Sequence, residues 1–184
     1  VSAVEEYAVW GGIPRYWELR NDYPNLNDAI RNLLLDTQGI LSEEPQRLLR
    51  DDMRDTVQTV TLLSVIGNGA NKMSEIASRV GKSSNEITEP LRKLRDLGYV
   101  RREVPFDENE RNSKKGLYFI DDNLFKFFYR FVAPNASLLE LDAIDAVMNV
   151  VHSQMPKFVS DCWENLCRNF VGGNEIDGIL YNKA

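Results

Sequence analysis

The sequence predicts a mainly α-helical protein built from a helical subdomain, a winged helix-turn-helix with a small β wing, and C-terminal helices. Apolar residues recur at helical spacing in segments along the 184 residues. Two strand-like runs, YVRREVPF and LYFID, flank a charged turn in the middle of the chain. There the order is helix, helix, turn, helix, strand, charged turn, strand, which is the order of a winged helix.

Residues 1–55 are predicted to form the helical subdomain. VSAVEEYAVW is compatible with a helix, NLNDAIRNLLLD repeats apolar residues at helical spacing, and QRLLRDDM follows Pro45 as a third helix. The first helix is followed by WGGIPRYW, in which two glycines and a proline interrupt an aromatic run. Taken alone, this stretch is an ordinary joint between two helices.

Residues 56–120 are predicted to form the winged helix. The segment TVQTVTLLSVIGNG is a helix that ends in glycines, and KMSEIASRVG places apolar residues on one helical face. In the third helix, Ser83 and Glu86 have the spacing of a capping box. Pro90 is expected to kink this helix or delay its start, because proline lacks an N–H and clashes with the preceding turn. The sequence therefore favours a helix over 90–97 more strongly than over 84–89.

Residues 121–184 are predicted to form helices in DDNLFKFFYRFV, in LLELDAIDAVMNVVHSQM and in KFVSDCWENLCRNFV. The tail GGNEIDGILYNKA has weak strand character. No apolar run reaches the roughly 18 residues that a membrane-spanning helix needs, and no secretory leader is recognisable. The expected location is the cytoplasm, with no membrane partner.

The distribution of charged residues gives the acidic protein a basic middle segment. The net charge is −6, yet residues 56–120 carry 11 Lys and Arg against 8 Asp and Glu. Cations on the third helix and the wing would meet the phosphates of double-stranded DNA. The predicted DNA-binding residues are Lys82, Arg92, Lys93, Arg95, Arg101, Arg102, Lys114 and Lys115. Acidic residues stand in the same elements, and winged helices also dock proteins, so a protein partner remains an alternative.

Catalytic motifs are not recognisable. GNGANK lacks the GK[ST] ending of a phosphate-binding loop and lies between helices, so it is interpreted as a turn. His152 has no partner cluster, and Cys162 and Cys167 are interpreted as free thiols. The acidic pair Glu175 and Asp177 is interpreted as a solvated turn rather than a metal site.

The chain resembles, in order along its length, the C-terminal portion of the archaeal-type P-loop ATPases, which are relatives of the AAA+ and STAND ATPases. Each segment alone is modestly specific, and the six together in the right order are more so. The segments are GGIPRYW, LSEEPQRLLRDDMRD, LLSVIGNGANKMSEIASRVG, LRKLRDLGYVRREVPF, LYFIDDNLFKFFYRFVAPN and WENLCRNFV.

This resemblance implies three parts: a helical lid over 1–55, the winged helix over 56–120, and the helical start of a PD-(D/E)xK nuclease-like domain over 121–184. The ATPase core, which binds ATP with Mg²⁺, would precede the lid in the full-length protein, and the first residue, Val1, agrees with a piece of a longer chain. No cofactor and no catalytic residue are expected within these 184 residues. Glu164 is a weak candidate for a metal-supporting carboxylate, although Trp163 replaces the family's phenylalanine before it.

For GGIPRYW the resemblance implies a nucleotide contact. In the STAND ATPases a Gly-x-Pro of the lid packs its proline near the adenine, and this pattern corresponds to Gly12 and Pro14. Glycine permits close approach of the backbone, and proline offers an apolar face without a competing N–H. Arg15 is a candidate phosphate sensor on the lid.

The leading functional hypothesis is a C-terminal fragment of an AAA+/STAND-like ATP-binding protein. It would couple nucleotide state to a winged helix that contacts DNA or a partner protein, and the fragment itself would not hydrolyse ATP. The alternative is a free-standing winged-helix transcription regulator. A third hypothesis is a nuclease or toxin-like effector with metal-dependent cleavage activity.

Overall fold

The N-terminal part of the chain is helical, as the sequence predicts. The computed structural model describes residues 2–53, 55–105, 108–109, 113 and 115–180. Four helices precede residue 55, and the third continues into a π-helical turn over Arg31–Leu35. These helices are α1 (Ala3–Trp10), α2 (Pro14–Arg20), α3 (Leu26–Ile30) and α4 (Glu44–Asp52).

The middle of the chain has three helices and an antiparallel hairpin, in the predicted order. The hairpin pairs Val100 with Ile120 and Glu103 with Leu117. Gly67, at the end of the first of these helices, lies so close to Tyr129 that an added Cβ would be 2.7 Å from the tyrosine Cβ. The elements are α5 (Thr56–Gly67), α6 (Met73–Arg79), α7 (Ser84–Asp96), β1 (Val100–Glu103) and β2 (Leu117–Ile120).

The predicted capping box is confirmed, and the expectation that Pro90 delays the start of the helix is wrong. Ser83 and Glu86 exchange both capping hydrogen bonds, so α7 begins at Ser84 and runs continuously through Pro90 to Asp96. A proline inside a helix costs about 3 kcal/mol locally. Fully buried leucine or isoleucine side chains anchor α7 on both sides of the proline, at Ile87 and at Leu91. Tertiary burial of that kind outweighs the local cost.

The C-terminal part is also helical, with two boundaries that differ from the prediction. Leu141 to Ala143 interrupt the predicted helix that starts at LLEL, and Asp142 there has a positive φ of 59°. The two remaining segments form one helix that continues through Pro156, because Val151 and Phe158 are buried on either side of it. The helices are α8 (Asn123–Phe127), α9 (Ala136–Glu140) and α10 (Ile144–Val171).

Two short stretches and a hairpin complete this part of the chain. α8 runs directly into a π-helical turn over Phe128–Val132, followed by a 3-10 turn over Ala133–Asn135. The tail with weak strand character forms the antiparallel strands β3 (Glu175–Ile176) and β4 (Ile179–Leu180).

One hydrophobic core extends through all three parts of the chain. Helix α1 packs on α8 and α10, and α5 packs on β2 and on the π-helical turn that follows α8. The aromatic residues of 125–131 lie at its centre, with Phe125, Phe127, Tyr129 and Phe131 almost fully buried. The N-terminal helices therefore share their packing with the helices at the other end of the chain.

Candidate functional site

The first junction between the N-terminal helices and the rest of the chain is at the end of α1. Gly11 ends this helix with φ +62° and ψ −148°, a backbone conformation that favours glycine. The Asn123 side-chain amide donates a hydrogen bond of 2.7 Å to the Tyr7 carbonyl. A Cβ added at Gly11 would lie 3.4 Å from the Cβ of Asn123. The start of α8 is thus bound to the last turn of α1, directly before the Gly-Gly break, across 116 residues of sequence.

The aromatic residues around that break hold it in shape. The indole N–H of Trp17 donates to the Gly11 carbonyl at 2.8 Å, and that of Trp10 donates to the Glu6 carboxylate at 2.9 Å. Arg20 forms a bidentate ion pair with the same carboxylate, and both side chains are largely buried. Charge-assisted bidentate pairs fix geometry well. The two helices on either side of the break therefore form one rigid unit.

The predicted nucleotide-binding residues lie on the outer side of this unit. Gly12, Pro14 and Arg15 are all exposed, and Pro14 occupies the first turn of α2. Apart from its two chain neighbours, no described residue has an atom within 4 Å of a Cβ added at Gly12. The structure brings the three residues together as one accessible edge. Their neighbour Tyr16 is buried, and burial, followed by the charges of Asp122 and Glu44, raises the pKa of Tyr16 to about 12.

A second junction joins α4 to the end of α7. The Tyr99 hydroxyl donates to the Asp52 carboxylate at 2.5 Å, and the Lys93 ammonium donates to the Asp52 carbonyl at 3.1 Å. Burial and the hydrogen bond to Asp52 raise the pKa of Tyr99. The Tyr99 ring stacks on Phe125 of α8, with 4.7 Å between centroids. Lys93, a predicted DNA-binding residue, is thereby part of an intramolecular contact.

A third junction fixes the hairpin to α10 through Arg101. Its guanidinium contacts Glu103 at 2.9 Å, Asp121 at 3.3 Å and the Asn165 side-chain oxygen at 3.0 Å. Arg168 contacts the other oxygen of Glu103 at 3.1 Å. Two residues of the hairpin and two of α10 thus form one network of charges and amides.

The first and third junctions border a cleft of about 680 Å³ between α1, the hairpin and α10. Its wall includes Tyr7 and Asn123 of the first junction and Arg101 and Arg168 of the third. The cleft is mainly polar. Arg101 pairs with Glu103 and Asp121, and Arg168 pairs with Glu103. Arg102 also lines the cleft and donates to the Ser113 carbonyl. We define the three junctions and this cleft as the candidate coupling site.

The predicted DNA-binding residues on and beside α7 lie at its exposed surface. Arg92 is held between two carboxylates of the same helix, Glu89 at 2.5 Å and Asp96 at 2.6 Å. Lys82 and Arg95 are exposed. The two carboxylates offset the positive charge of Arg92 on this face.

The predicted DNA-binding residues of the hairpin have different surroundings. Arg101 points between the hairpin and α10, as described above. The Arg102 guanidinium donates to the Ser113 carbonyl at 2.6 Å and lies over the Tyr118 ring. Lys115 forms an ion pair of 2.5 Å with Glu108. Lys114 lies outside the described residues. The predicted residues therefore fall into two groups, one on α7 and one on the hairpin.

Glu164, the weak metal candidate, is exposed on α10 and pairs with Arg168. In the described part of the chain, no group of three or more His, Cys, Asp or Glu side chains is arranged to hold a metal ion. Asp177 forms part of the turn between β3 and β4, with a positive φ of 52°. Cys162 and Cys167 are free cysteines, and Cys162 is buried.

Sequence reasoning missed the residues that make the junctions, above all Asn123, Asp52 and Asn165. Asp122 was recognisable as a helix start, because it precedes an apolar run and its side chain caps the backbone N–H of Phe125. Nothing in the sequence marks Asn123 as the partner of Tyr7. Such a contact depends on how α1 packs against α8 and not on any local pattern.

Comparison with known proteins adds a family match and a relative. A family model for archaeal and bacterial proteins of unknown function, DUF234, matches residues 128–180, which is less than half of the chain. An uncharacterized protein of Methanocaldococcus jannaschii is 26% identical over 172 residues. The aligned region covers 91% of this chain and 37% of that protein, so the chain spans little more than a third of the relative's length. No solved structure matches the chain significantly.

The matched region 128–180 begins in the π-helical turn after α8 and includes α10 with Asn165 and Arg168. It therefore contains one side of the third junction. Within the described part of the chain, none of the helices has the length and apolar character needed to cross a bilayer.

Proposed function

We propose that this chain is the C-terminal regulatory part of a longer AAA+/STAND-like ATP-binding protein. In this proposal it couples nucleotide state to a winged helix, formed by residues 56–120, that contacts a partner protein or DNA. Two findings support the proposal beside the resemblance of the six sequence segments. The chain matches the relative over only 37% of the relative's length, which leaves room for an ATPase core, and the described residues have the junctions that coupling requires.

The observation that carries the proposal is the contact of Asn123 with Tyr7 and Gly11. It joins the break that would face the nucleotide to the start of α8. Two residues earlier, Asp121 binds Arg101 of the hairpin, and Arg101 binds Asn165 of α10. A displacement of the lid therefore has a continuous set of contacts through which it reaches both the hairpin and α10. Contacts of this kind are a physical condition for coupling between two sites.

The exposed edge of Gly12, Pro14 and Arg15 fits a lid that closes over a nucleotide. Pro14 presents an apolar ring without an N–H, which suits the face of an adenine. The open space around Gly12 allows another molecule to approach the backbone closely. ATP with Mg²⁺ would bind to the core, and these residues would complete the site from one side.

Charge pairing on α7 favours a protein partner for the winged helix over sequence readout of DNA. Arg92, central among the predicted phosphate contacts, is already bound to Glu89 and Asp96. Lys93 is bound to Asp52. Phosphate binding would have to break these pairs, whereas a protein surface with mixed charges can use them as they are.

The test uses the longer protein that contains the ATPase core. ATP is expected to change its affinity for the winged-helix partner, and Asn123→Ala is expected to abolish that change while ATP binding persists. Asn135→Ala is the matched control, because Asn135 also donates its amide to a backbone carbonyl, but within its own helical segment. Equal coupling in both variants, or ATP hydrolysis by residues 1–184 alone, would contradict the proposal.

The second candidate, a free-standing transcription regulator, is favoured by the exposed cations Lys82 and Arg95 on the α7 side. It requires the chain alone to bind duplex DNA with an affinity that falls steeply with salt. Replacement of both Arg92 and Lys93 by alanine would then abolish binding. A titration of residues 1–184 with duplex DNA at two salt concentrations separates this candidate from the coupling function.

A further inference from the structure

A second, smaller cleft lies on the other side of Arg101 from the coupling site. It encloses about 230 Å³ between the end of α5, strand β2, the α8 region and the middle of α10. Four cations line it: Arg101, Lys126, Arg130 and Lys157. Among the described lining residues, Asp161 is the one carboxylate. The lining is therefore strongly positive, although the chain as a whole is acidic.

The single carboxylate is already engaged. Asp161 forms an ion pair with Lys157, one turn earlier on α10. Arg101 takes its carboxylate partners, Glu103 and Asp121, from the large cleft on its other side. The other two cations of the small cleft, Lys126 and Arg130, form no ion pair within the described part of the chain.

Lys126 is the less solvated of these two cations. Its ammonium lies 5.4 Å from the centroid of the Phe158 ring, and its side chain is only partly exposed. Burial is the main cause that lowers the pKa of Lys126, the Asp161 charge opposes this shift, and Arg101 adds to it. A cation in this position lacks the stabilisation that a counter-ion or full hydration would give.

Arg130 follows Lys126 by four residues, so the two like charges lie about one turn apart. Like charges at this spacing destabilise a helix. Arg130 is exposed, and no ion pair or hydrogen bond joins it to the rest of the described chain. The contact of Lys126 with Phe158 is a cation–π interaction and explains why a lysine is tolerated there. It does not explain two adjacent cations beside Arg101.

We propose that the small cleft is a binding site for a phosphate group. Lys126 and Arg130 contact the phosphate oxygens, Arg101 contributes positive potential, and the Gln154 amide at the rim supplies a neutral donor. Arginine matches the oxygens of phosphate with a planar fork of donors, and lysine binds them as a point charge. The phosphate belongs either to a free phosphate or nucleotide or to the backbone of a nucleic acid.

This proposal does not rest on the coupling function, although Arg101 lines both clefts. It involves neither the Gly-Gly break nor α7, and it requires no ATPase core. Residues 1–184 alone therefore suffice for the experiment, and its result leaves the proposed coupling untouched.

The first experiment measures thermal stability with inorganic phosphate against sodium chloride of equal ionic strength. Phosphate is expected to raise the midpoint of the wild-type chain. Lys126→Met keeps the apolar stem and removes the charge, so this variant is expected to lose the phosphate-dependent rise. Its phosphate-free midpoint is expected to equal or exceed that of the wild type, because the buried charge is gone. A lysine with a purely structural role would show the opposite, a lower midpoint.

Arg130→Gln provides a second, exposed variant whose folding is not at risk. Loss of one charge-assisted contact is expected to weaken phosphate binding about tenfold or more in a calorimetric titration. Arg79→Gln is the matched control, since Arg79 pairs with Glu75 on α6 and does not line the cleft. This control is expected to bind phosphate as the wild type does.

Competition distinguishes the two sources of the phosphate. ATP and single-stranded DNA of about 12 nucleotides are each added against inorganic phosphate. The source is a nucleic-acid backbone if the DNA binds much more tightly than ATP and phosphate, if its binding weakens with salt, and if Arg130→Gln weakens it further. Binding of ATP and phosphate without that preference identifies a free phosphate or nucleotide. The proposal is overturned if the wild type binds none of the three probes, or if Lys126→Met and Arg130→Gln bind them as the wild type does.

Discussion

Helix α7 and the segment 123–132, which consists of α8 and its π-helical turn, are of similar length but occupy opposite positions in the molecule. In α7, one face is buried through Ile87, Leu91 and Leu94, and the outward face is charged. In 123–132, apolar side chains are buried on all sides. The segment contacts α1, α5, β2 and α10, so the first helix is a surface element and the second is the central support of the fold.

The comparison shows where change is tolerated. On α7, Arg92 pairs with Glu89 and Asp96 of the same helix, and these two ion pairs do not hold other elements in place. The aromatic rings of 123–132 form a cluster that includes Phe158 of α10 and Tyr99 after α7. Stability should therefore depend on the segment 123–132, and recognition on α7.

The largest expected effect comes from Phe127→Ala, which opens a cavity at the centre of the core. Buried phenylalanine truncations cost about 3–5 kcal/mol, and the Phe127 ring packs on Phe131 and Phe158. Urea denaturation measures the loss in unfolding free energy. The matched variant on α7 is Arg92→Ala, whose denaturation midpoint is expected to stay near that of the wild type. Equal losses in both variants would show that the two segments do not differ as described.

The next largest effect is expected from Pro90→Ala, which replaces the proline inside α7. Pro90→Ala restores a backbone N–H to the helix and removes the clash with the preceding turn. The free energy of unfolding is expected to rise by about 2 kcal/mol, because alanine has a much higher helix propensity than proline. The greater flexibility of the unfolded chain without the proline offsets part of this rise. Thermal or urea denaturation measures this gain. A lower stability of Pro90→Ala would mean that the proline ring itself makes a packing contact that α7 needs.

A smaller gain is expected inside the segment 123–132. The Tyr129 hydroxyl is buried and finds no hydrogen-bond partner in the described part of the chain, and burial raises the pKa of Tyr129. Tyr129→Phe removes the unsatisfied hydroxyl and keeps the ring, so it should stabilise the protein by about 1 kcal/mol. A loss of stability in urea denaturation would reveal a partner for the hydroxyl.

The smallest effect depends on pH and concerns Asp122, the N-cap of α8. Burial raises the pKa of this carboxyl above its ordinary value of 3.8, although the N–H groups of Phe125 and Leu124 oppose the shift. The folded protein then binds a proton more readily than the unfolded chain, so the ionised carboxyl costs stability above the raised pKa. As pH falls through the raised pKa, that cost disappears.

Asp122→Asn keeps a side chain that caps helices well and removes the charge. The variant is expected to be more stable than the wild type at neutral pH. The difference should narrow as the pH falls towards the ordinary value of 3.8. Urea denaturation at a series of pH values measures it. If the difference in unfolding free energy between the two proteins stays constant with pH, it arises from helix capping by the side chain at position 122 and not from the charge of Asp122.

Local patterns predicted α6 and α7 correctly, because a helix with one buried face repeats apolar residues at a recognisable spacing. They failed at Pro90 and Pro156, where a local cost is outweighed by burial on both sides of the proline. They also gave no hint that 123–132 lies at the centre, since the pattern of its aromatic residues does not show which elements those residues contact. The elements could therefore be predicted, and their arrangement could not.

The candidate site shows the same limit. The break at Gly11 and Gly12 was recognisable from the sequence, and the resemblance directed attention to Gly12. The structure places the conformational demand on Gly11, whose positive φ of 62° disfavours any residue with a side chain. A contact between residues 7 and 123 depends on the complete fold.

Arg101 lies in the wall that separates the two clefts and lines both of them. Three of its nitrogens donate to Glu103, Asp121 and Asn165, which hold the guanidinium on the side of the large cleft. An anion that draws this side chain towards the small cleft therefore weakens its bonds in the large one. By thermodynamic reciprocity, a ligand that breaks the contact of Arg101 with Asp121 or Asn165 raises the affinity of the small cleft for that anion by the same factor. One arginine thus makes the two clefts competitors for a single positive charge.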